Sequence, residues 1–325
     1  MAVPISSLLF AGDIMLNGVA PSRRTFEGIA PVVRRADLAF ANLEVPLTTS
    51  RIATTRKSAE EIKRRDQFVL KADPRHAPFL AASGFDLFSL GNNHAMDYGP
   101  QGLDQTRALL DGQNLAYAGA GANAAEASHL AIRVLPDGTR VGMVSAMAFV
   151  TTKALEKVSP ATPTAAGVNA FDFGGVIGPR ARRTLSGMVK NAKRRCDLLV
   201  VAVHWGTERK TLPNPYQVAL GRAIVDAGAD VVWGHHPHVL QGAEIYRGKP
   251  ILYSMGNLIS AVPADTGLIT MRRGSFAFTP ARIRSGRVSL TTEDAGTAAR
   301  RRFIGLCAEL VKKYPHRRAK PLHSE

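Results

Sequence analysis

The sequence predicts an α/β fold built around a largely parallel sheet. Short, continuous apolar runs recur along the chain, which is how strands buried on both faces read. Helical patterns fill the gaps between them, and that alternation suits a sheet with crossover helices. Late in the chain, residues 274–283 and 286–292 read as an antiparallel hairpin turning at Ser285-Gly286. The sheet is therefore expected to be mixed, or to face a second one.

The strands have a common form. The run from Ser7 to Ala11 leads into Gly12-Asp13, and residues 37–41 lead into Asn42-Leu43-Glu44. Residues 86–90 lead into Gly91-Asn92-Asn93-His94, and residues 197–203 into His204-Trp205-Gly206. Residues 230–233 run into Gly234-His235-His236-Pro237-His238, and residues 251–254 into Met255-Gly256-Asn257. Between them, Pro100 marks a first helical turn, Leu103, Thr106 and Leu110 share a face, and Gly112 stops the helix. Asn214-Pro215 reads as an N-cap followed by proline at the first helical position. Tyr216, Leu220 and Ile224 follow at every fourth residue, and Gly228 supplies the stop. A basic helix over about 179–194 precedes the strand at Asp197.

Composition narrows the class. Hydrophobic residues at 45% and charged residues at 21% read as a soluble globular chain. No apolar run reaches the roughly 18 residues of a membrane span. Residues 1–5 carry neither a basic start nor an apolar core, so no export signal is expected. Cys196 and Cys307 are too few for a disulfide framework or a thiolate site, and a reduced cytoplasm fits them. The net charge of +16 gathers in two places: seven Lys/Arg without an acid in residues 180–195, and eight Lys/Arg against Glu309 and Glu325 in residues 300–325. Such clusters favour anionic partners or form a solvated basic face. They lack the interleaved aromatics of a nucleic-acid surface, so nucleic acid is not expected. The expected division is a domain over 1–299 and a basic helix or tail over 300–325.

The chemistry lies at the strand ends. In open α/β sheets ligands gather beyond the carboxyl ends of the strands, and here each end delivers Asp, Glu, Asn or His. Asp13, Glu44, Asn93, His204, His236 and His238 are too rich a set for one tetrahedral zinc. They suit two divalent ions roughly 3.5–4 Å apart with a bridging carboxylate. A nitrogen and oxygen set without thiolate points to Mn, Fe or Zn. His236 and His238 flank Pro237, and in an extended segment their rings would share one side. The spacing favours His236 over His235. Trp205 either stacks on substrate or wedges the core below the site, and Glu208 either anchors a ligand or serves as an acid/base group. His76, His129, His316 and His323 read as surface residues.

Taken in order, Gly12-Asp13, Asn42-Leu43-Glu44, Gly91-Asn92-Asn93-His94 with Asp97-Tyr98-Gly99, His204-Trp205-Gly206-Thr207-Glu208, the His235–His238 cluster and Ser254-Met255-Gly256-Asn257 resemble the CapA family. That family is named for bacterial capsule and poly-γ-glutamate synthesis and is similar to the calcineurin-like metallophosphatases. The resemblance covers residues 8–259 and implies a metallophosphatase-like sandwich of two mixed β-sheets flanked by helices. It also implies that Asp13 is the first metal-binding aspartate, Glu44 stands at the bridging position, Asn93 is the asparagine ligand and His204 the lone histidine ligand. His236 and His238 match the paired final ligands, and His94 the acid for the leaving group. Asn92, Asp97, Trp205, Glu208 and Asn257 are expected to support ligands or touch substrate. One departure stands out: Ile14-Met15 follow Asp13, so no histidine lies two residues on.

The expected function is that of a binuclear-metal hydrolase with His94 as acid/base, acting on phosphoester or amide/peptide-like bonds in capsule or poly-γ-glutamate synthesis. The expected substrate is an anionic polymer or a phosphorylated or peptidic compound, with polymer-synthesis proteins as further partners. A metal-dependent peptide epimerase and a non-catalytic metal-binding scaffold are the alternatives.

Overall fold

The computed structural model describes residues 7–149, 157–172, 179–272 and 275–323. Residues 1–5, read above for an export signal, and residue 274 of the hairpin lie outside them.

Two eight-stranded sheets dominate, beside a two-stranded one of β5 (Ala120–Gly121) and β8 (Gly167–Val168). Numbering strands along the chain, the first contains β1 (Ser7–Ile14), β2 (Leu38–Leu43), β3 (Leu87–Ser89), β4 (Ala116–Ala118), β14 (Asn257–Ile259), β15 (Ala264–Arg272), β16 (Ser275–Arg284) and β17 (Arg287–Leu290). Its order is β17-β16-β15-β1-β2-β3-β4, with β14 also beside β1. Strands β1 to β4 run parallel, while β15 to β17 form an antiparallel meander whose last turn is the expected one at Ser285-Gly286. The second sheet contains β6 (Ala131–Val134), β7 (Arg140–Phe149), β9 (Ala170–Asp172), β10 (Leu198–His204), β11 (Val231–His235), β12 (Ala243–Tyr246), β13 (Lys249–Leu252) and β18 (Ala319–Pro321). Its order is β18-β12-β13-β11-β10-β7-β6, with β9 beside β7 and β7, β10, β11 and β13 parallel. Both sheets are mixed, as expected.

The alternation of side chains makes the sandwich. Leu8, Phe10, Leu38 and Phe40 of the first sheet meet Met143, Val200, Ala202, Val231 and Trp233 of the second in one buried layer. Phe10 and Phe40 stack at 5.0 Å, and Trp233 closes on them at 5.9 and 6.0 Å. The Trp233 indole Nε1 donates to the Ala11 carbonyl at 2.9 Å and pins the sheets together just below the site. The opposite face of β1 and β2, Leu9, Ala11, Ala39 and Ala41, packs against the helix Gly99–Gly112 through Leu103 and Leu110. The outer face of the second sheet buries Leu199, Val201 and Val203 against Leu185 and Val189 of the helix Pro179–Lys193 and Leu220 and Ile224 of the helix Pro215–Asp226. Each fully buried aliphatic or aromatic chain contributes about 1.5–3 kcal/mol relative to exposure, so these layers hold the fold.

The helix ends follow their local chemistry. The Asn214 backbone N–H bonds Gln217 Oε1 at 2.8 Å, and Gly228 takes φ +117 just beyond the C-cap. The helix Glu293–Lys313 starts before the expected boundary at 299/300 and continues through it. Its buried Phe303 stacks on Phe278 at 4.3 Å, and Cys307 joins the same layer between the sheets. Among the described residues, no helix is long and apolar enough to cross a membrane. His76 corrects the surface reading: it is fully buried, with Nε2 3.0 Å from the Val19 carbonyl.

Candidate metal centre

The strand ends converge where the two sheets meet. Strand β1 changes register between Phe10 and Asp13, a bulge that places Asp13 level with Asn42 of β2 and Asn257 of β14. Gly12 permits this approach, because a Cβ there would lie 1.9 Å from the Gly256 carbonyl oxygen. That carbonyl accepts the Asp13 backbone N–H at 2.9 Å. In the second sheet His204 lies level with His235 on adjacent parallel strands. The chain then leaves the extended region. His236 and His238 take φ +95 and +57, values L-residues rarely adopt, so the turn that carries two of the donors is locally strained. The rings therefore converge through a tight turn around Pro237, not through an extended segment.

Asp13 is fully buried. Its Oδ1 accepts from Asn42 Nδ2 at 3.0 Å and lies 2.8 Å from His235 Nδ1. Its Oδ2 accepts the His236 backbone N–H at 3.2 Å and lies 3.3 Å from His238 Nδ1. Glu44 is equally buried, yet its Oε1 has no hydrogen-bond partner among the described residues. That oxygen faces His204 Nε2 at 3.6 Å and His238 Nε2 at 3.5 Å. His204 Nε2 also meets Asn93 Oδ1 at 2.8 Å and His236 Nδ1 at 3.1 Å. Ligand atoms of Glu44, His236 and His238 lie within 4.8 Å of one another. Asp13, Glu44, Asn93, His204, His236 and His238 are thus brought together.

Asn257, Asn92, His94 and Asp97 lie around them. Asn257 Oδ1 lies 2.8 Å from His238 Nδ1. Asn92 donates to the Leu43 carbonyl at 2.9 Å and accepts from the His94 and Ala95 backbone N–H groups, which shapes the turn carrying Asn93 and His94. His94 Nδ1 lies 2.6 Å from Asp97 Oδ2. Trp205 is fully buried, stacks on Tyr253 and donates to its carbonyl at 3.0 Å, which places it in the core below the site. Glu208 is exposed at the wall of a cleft of about 490 Å³ that opens over Asn93, His94 and His236.

Burial and mutual charge set the electrostatics. Burial drives Glu44 well above the ordinary carboxylate range. Burial likewise pushes His204 far down and His236 to about 3, aided at His236 by the neighbouring His238 charge. Burial works to raise Asp13, but the His235 and His238 hydrogen bonds outweigh it and hold the carboxyl well below its usual range. At His238 burial is overcome by the Glu44 and Asp13 carboxyls, which lift it to about 10. The Glu44 and Asp13 carboxyls thus favour positive charge at His238, as they would favour a divalent cation.

A family model described as bacterial capsule synthesis protein, PGA_cap, matches residues 7–262. The chain belongs to that family. Its relatives include the PGA biosynthesis protein CapA of Bacillus subtilis, 31% identical over 78% of this chain and 63% of that protein. The capsule biosynthesis protein CapA of Bacillus anthracis is 30% identical over 72% of this chain and 53% of that one. A probable polyglutamine synthesis accessory protein of Mycobacterium tuberculosis is 31% identical over 69% of this chain and 55% of that one. The matched stretch thus spans between half and two thirds of each relative. Among solved structures, a phosphatase from Mycoplasma pneumoniae aligns with TM-score 0.52 and 14% identity over 87% of this chain and 95% of that chain. The PGA_cap chain accordingly takes the metallophosphatase-like sandwich that its motifs imply.

The residues of this PGA_cap site fit a divalent metal ion. A buried carboxylate oxygen without a hydrogen-bond partner among the described residues, faced by two imidazole nitrogens, is a donor set suited to a divalent cation. Two participants were not foreseen. Lys57 lies in a polar segment with no local pattern to mark it, yet its ammonium donates to the Phe68 and Asn93 carbonyls and pairs with Asp97 beneath His94. Phe149 closes one side of the cleft, its ring 5.0 Å from that of His236.

Proposed function

We propose that the cleft is the active site of a divalent-metal-dependent hydrolase acting on a phosphoester or amide/peptide-like bond during the making or processing of a capsule or poly-γ-glutamate type polymer. The observation that carries this reading is Glu44 Oε1, buried, without a hydrogen-bond partner among the described residues, and faced by His204 and His238 beside a cleft whose wall presents Asn93, His94 and His236. Glu44, Asn93, His204, His236 and His238 would hold the metal. When bound, such an ion supplies Lewis acidity and an acidified water.

The chain's own groups supply the rest. The ammonium of Lys57 has three donors, and they serve Phe68, Asn93 and Asp97. No proton of Lys57 is left for His94, so the His94 Nδ1–H donates to Asp97 Oδ2. This leaves Nε2 as the ring nitrogen that exchanges a proton with a leaving group in the cleft. Phe68 and Phe149 line the same cleft and give it an apolar side. A metal site with a purely structural task has no need of an oriented imidazole beside an open cleft, which favours an enzyme over a scaffold. The names of the Bacillus relatives, a PGA biosynthesis protein and a capsule biosynthesis protein, support polymer synthesis as the setting.

The test is turnover of chromogenic phosphoesters and of γ-glutamyl peptides by protein loaded with Mn or Zn. Turnover abolished by a chelator and by His94→Ala is expected. Metal-replete protein that turns over neither class would overturn the reading.

A further inference from the structure

The donors expected to share two ions differ in how much of their bonding capacity is already used. An ionised carboxylate offers about four acceptor positions. Asp13 fills them: Asn42 Nδ2 and His235 Nδ1 lie at 3.0 and 2.8 Å from Oδ1, and the His236 backbone N–H and His238 Nδ1 at 3.2 and 3.3 Å from Oδ2. Glu44, just as buried, is nearly empty. Among the described residues its Oε2 accepts from Asn42 Nδ2 at 3.4 Å and its Oε1 has no hydrogen-bond donor, while the carboxyl lies within hydrogen-bond reach of Asp13.

The imidazoles agree with this division. His238 Nδ1 sits between two acceptors, Asn257 Oδ1 at 2.8 Å and Asp13 Oδ2, so that nitrogen carries the proton. Nε2, the nitrogen turned to Glu44, is the one left to bind an ion. His235 Nδ1 also faces a carboxylate oxygen and acts as its donor. The oriented nitrogens on the Glu44 side belong to His204, His236 and His238, with Asn93 Oδ1 beside them. On the Asp13 side Asn42 Nδ2, His235 Nδ1, the His236 backbone N–H and His238 Nδ1 are all directed at Asp13. Position 15, two residues beyond Asp13, is Met15 and adds none.

We infer that the centre is built for a single divalent ion held by Glu44, His204, His236 and His238 with Asn93, and that Asp13 is an outer carboxylate that orients these groups without ligating. Asp13 grips the His236 backbone N–H and the His238 ring, so it holds the left-handed turn that presents both imidazoles. An outer partner of this kind tunes affinity without changing the number of ions. The inference rests on the metal-dependent reading proposed above and narrows it.

The experiment is the number of Mn and Zn equivalents bound per chain, by elemental analysis after equilibrium dialysis of untagged protein, with affinities from competition against a chromophoric chelator. One equivalent is expected in the wild type. Asp13→Asn is expected to keep that equivalent with affinity weakened about 10- to 100-fold, the usual cost of losing an outer partner. Glu44→Gln should bind none. Two equivalents in the wild type would overturn the inference, most directly if Asp13→Asn then bound one. Should Asp13→Asn fail to fold, the wild-type count decides alone. Two equivalents with turnover would leave the hydrolase reading intact, whereas one equivalent without turnover would overturn that reading only. A chain that binds neither metal overturns both.

Discussion

Lys57 and Asp97 form an ion pair whose side chains are each 1% exposed, directly beneath the imidazole of His94. The Lys57 ammonium lies 3.3 Å from His94 Nδ1. Asp97 also accepts the Leu70 backbone N–H at 2.7 Å, so the pair ties residues 57–70 to the turn that carries Asn93 and His94. Removing one partner of a buried pair strands the other charge, a loss of about 3–5 kcal/mol. Lys57→Met is therefore expected to lower stability by about that amount in urea denaturation. The double variant Lys57→Met/Asp97→Asn should lose less than the sum of the two single losses. A Lys57→Met protein as stable as the wild type would contradict the pair's structural weight.

His94 makes a different prediction. It belongs to the cleft wall, and its Nδ1 is engaged by Asp97, not by the metal donors. His94→Ala should retain the bound ion and the fold while turnover of a chromogenic phosphoester falls by about 10²- to 10⁴-fold, the range for general acid–base groups. Its metal content, measured beside that of His236→Ala, checks the assignment. Equal loss of metal in both variants would place His94 among the ligands instead.

How much of this was legible before the fold? The apolar runs ending at Asp13, Glu44, Asn93, His204 and His236 announce strands and site together, because burial on both faces leaves function only at the strand ends. The order of those strands was not legible, since β14 reaches β1 across more than two hundred residues of chain. Lys57 left no trace because its meaning depends on Asp97, forty residues on. The saturation of Asp13 was equally hidden: it comes from His235, His236 and His238, more than two hundred residues away. The C-terminal helix did leave a sign. Phe303, Cys307 and Leu310 recur at helical spacing and mark a buried face, but the surrounding arginines and lysines drew the reading to charge.

His76 supplies a pH prediction remote from the metal donors. Burial lowers its pKa, and among the described residues Nδ1 has no hydrogen-bond partner while Nε2 meets the Val19 carbonyl at 3.0 Å. In the unfolded chain the same imidazole titrates near 6.5. The unfolded state thus gains the proton first as pH falls. The contribution of His76 is complete above about 6.5 and is lost as pH falls through that value toward the lowered folded pKa. The urea midpoint of the wild type should therefore drop more steeply from pH 7 to pH 5 than that of His76→Gln. Parallel curves would remove His76 as a cause of acid sensitivity.

The last prediction sets a buried ion pair against an exposed one. Arg222 donates to both oxygens of the buried Glu244 on β12, at 2.9 and 2.7 Å. Glu244 also accepts from Tyr253 at 2.8 Å, and Arg222 reaches the Tyr314 carbonyl at 2.7 Å, so this group binds β12 to the end of the C-terminal helix. Arg140 and Asp197 make a pair of similar length, at 3.1 Å, but their side chains are 50% and 48% exposed. Water screens that pair and already solvates both ions, so breaking it strands no charge. Glu244→Ala leaves Arg222 buried without its carboxylate and should cost about 3–5 kcal/mol, releasing the C-terminal helix first. Asp197→Ala should leave the denaturation midpoint unmoved. Hydrogen exchange over residues 293–313 reads the difference: faster exchange in Glu244→Ala alone is the expected result, and equal exchange in both variants would mean that the helix is held by Phe303, Cys307 and Leu310 without help from the ion pair.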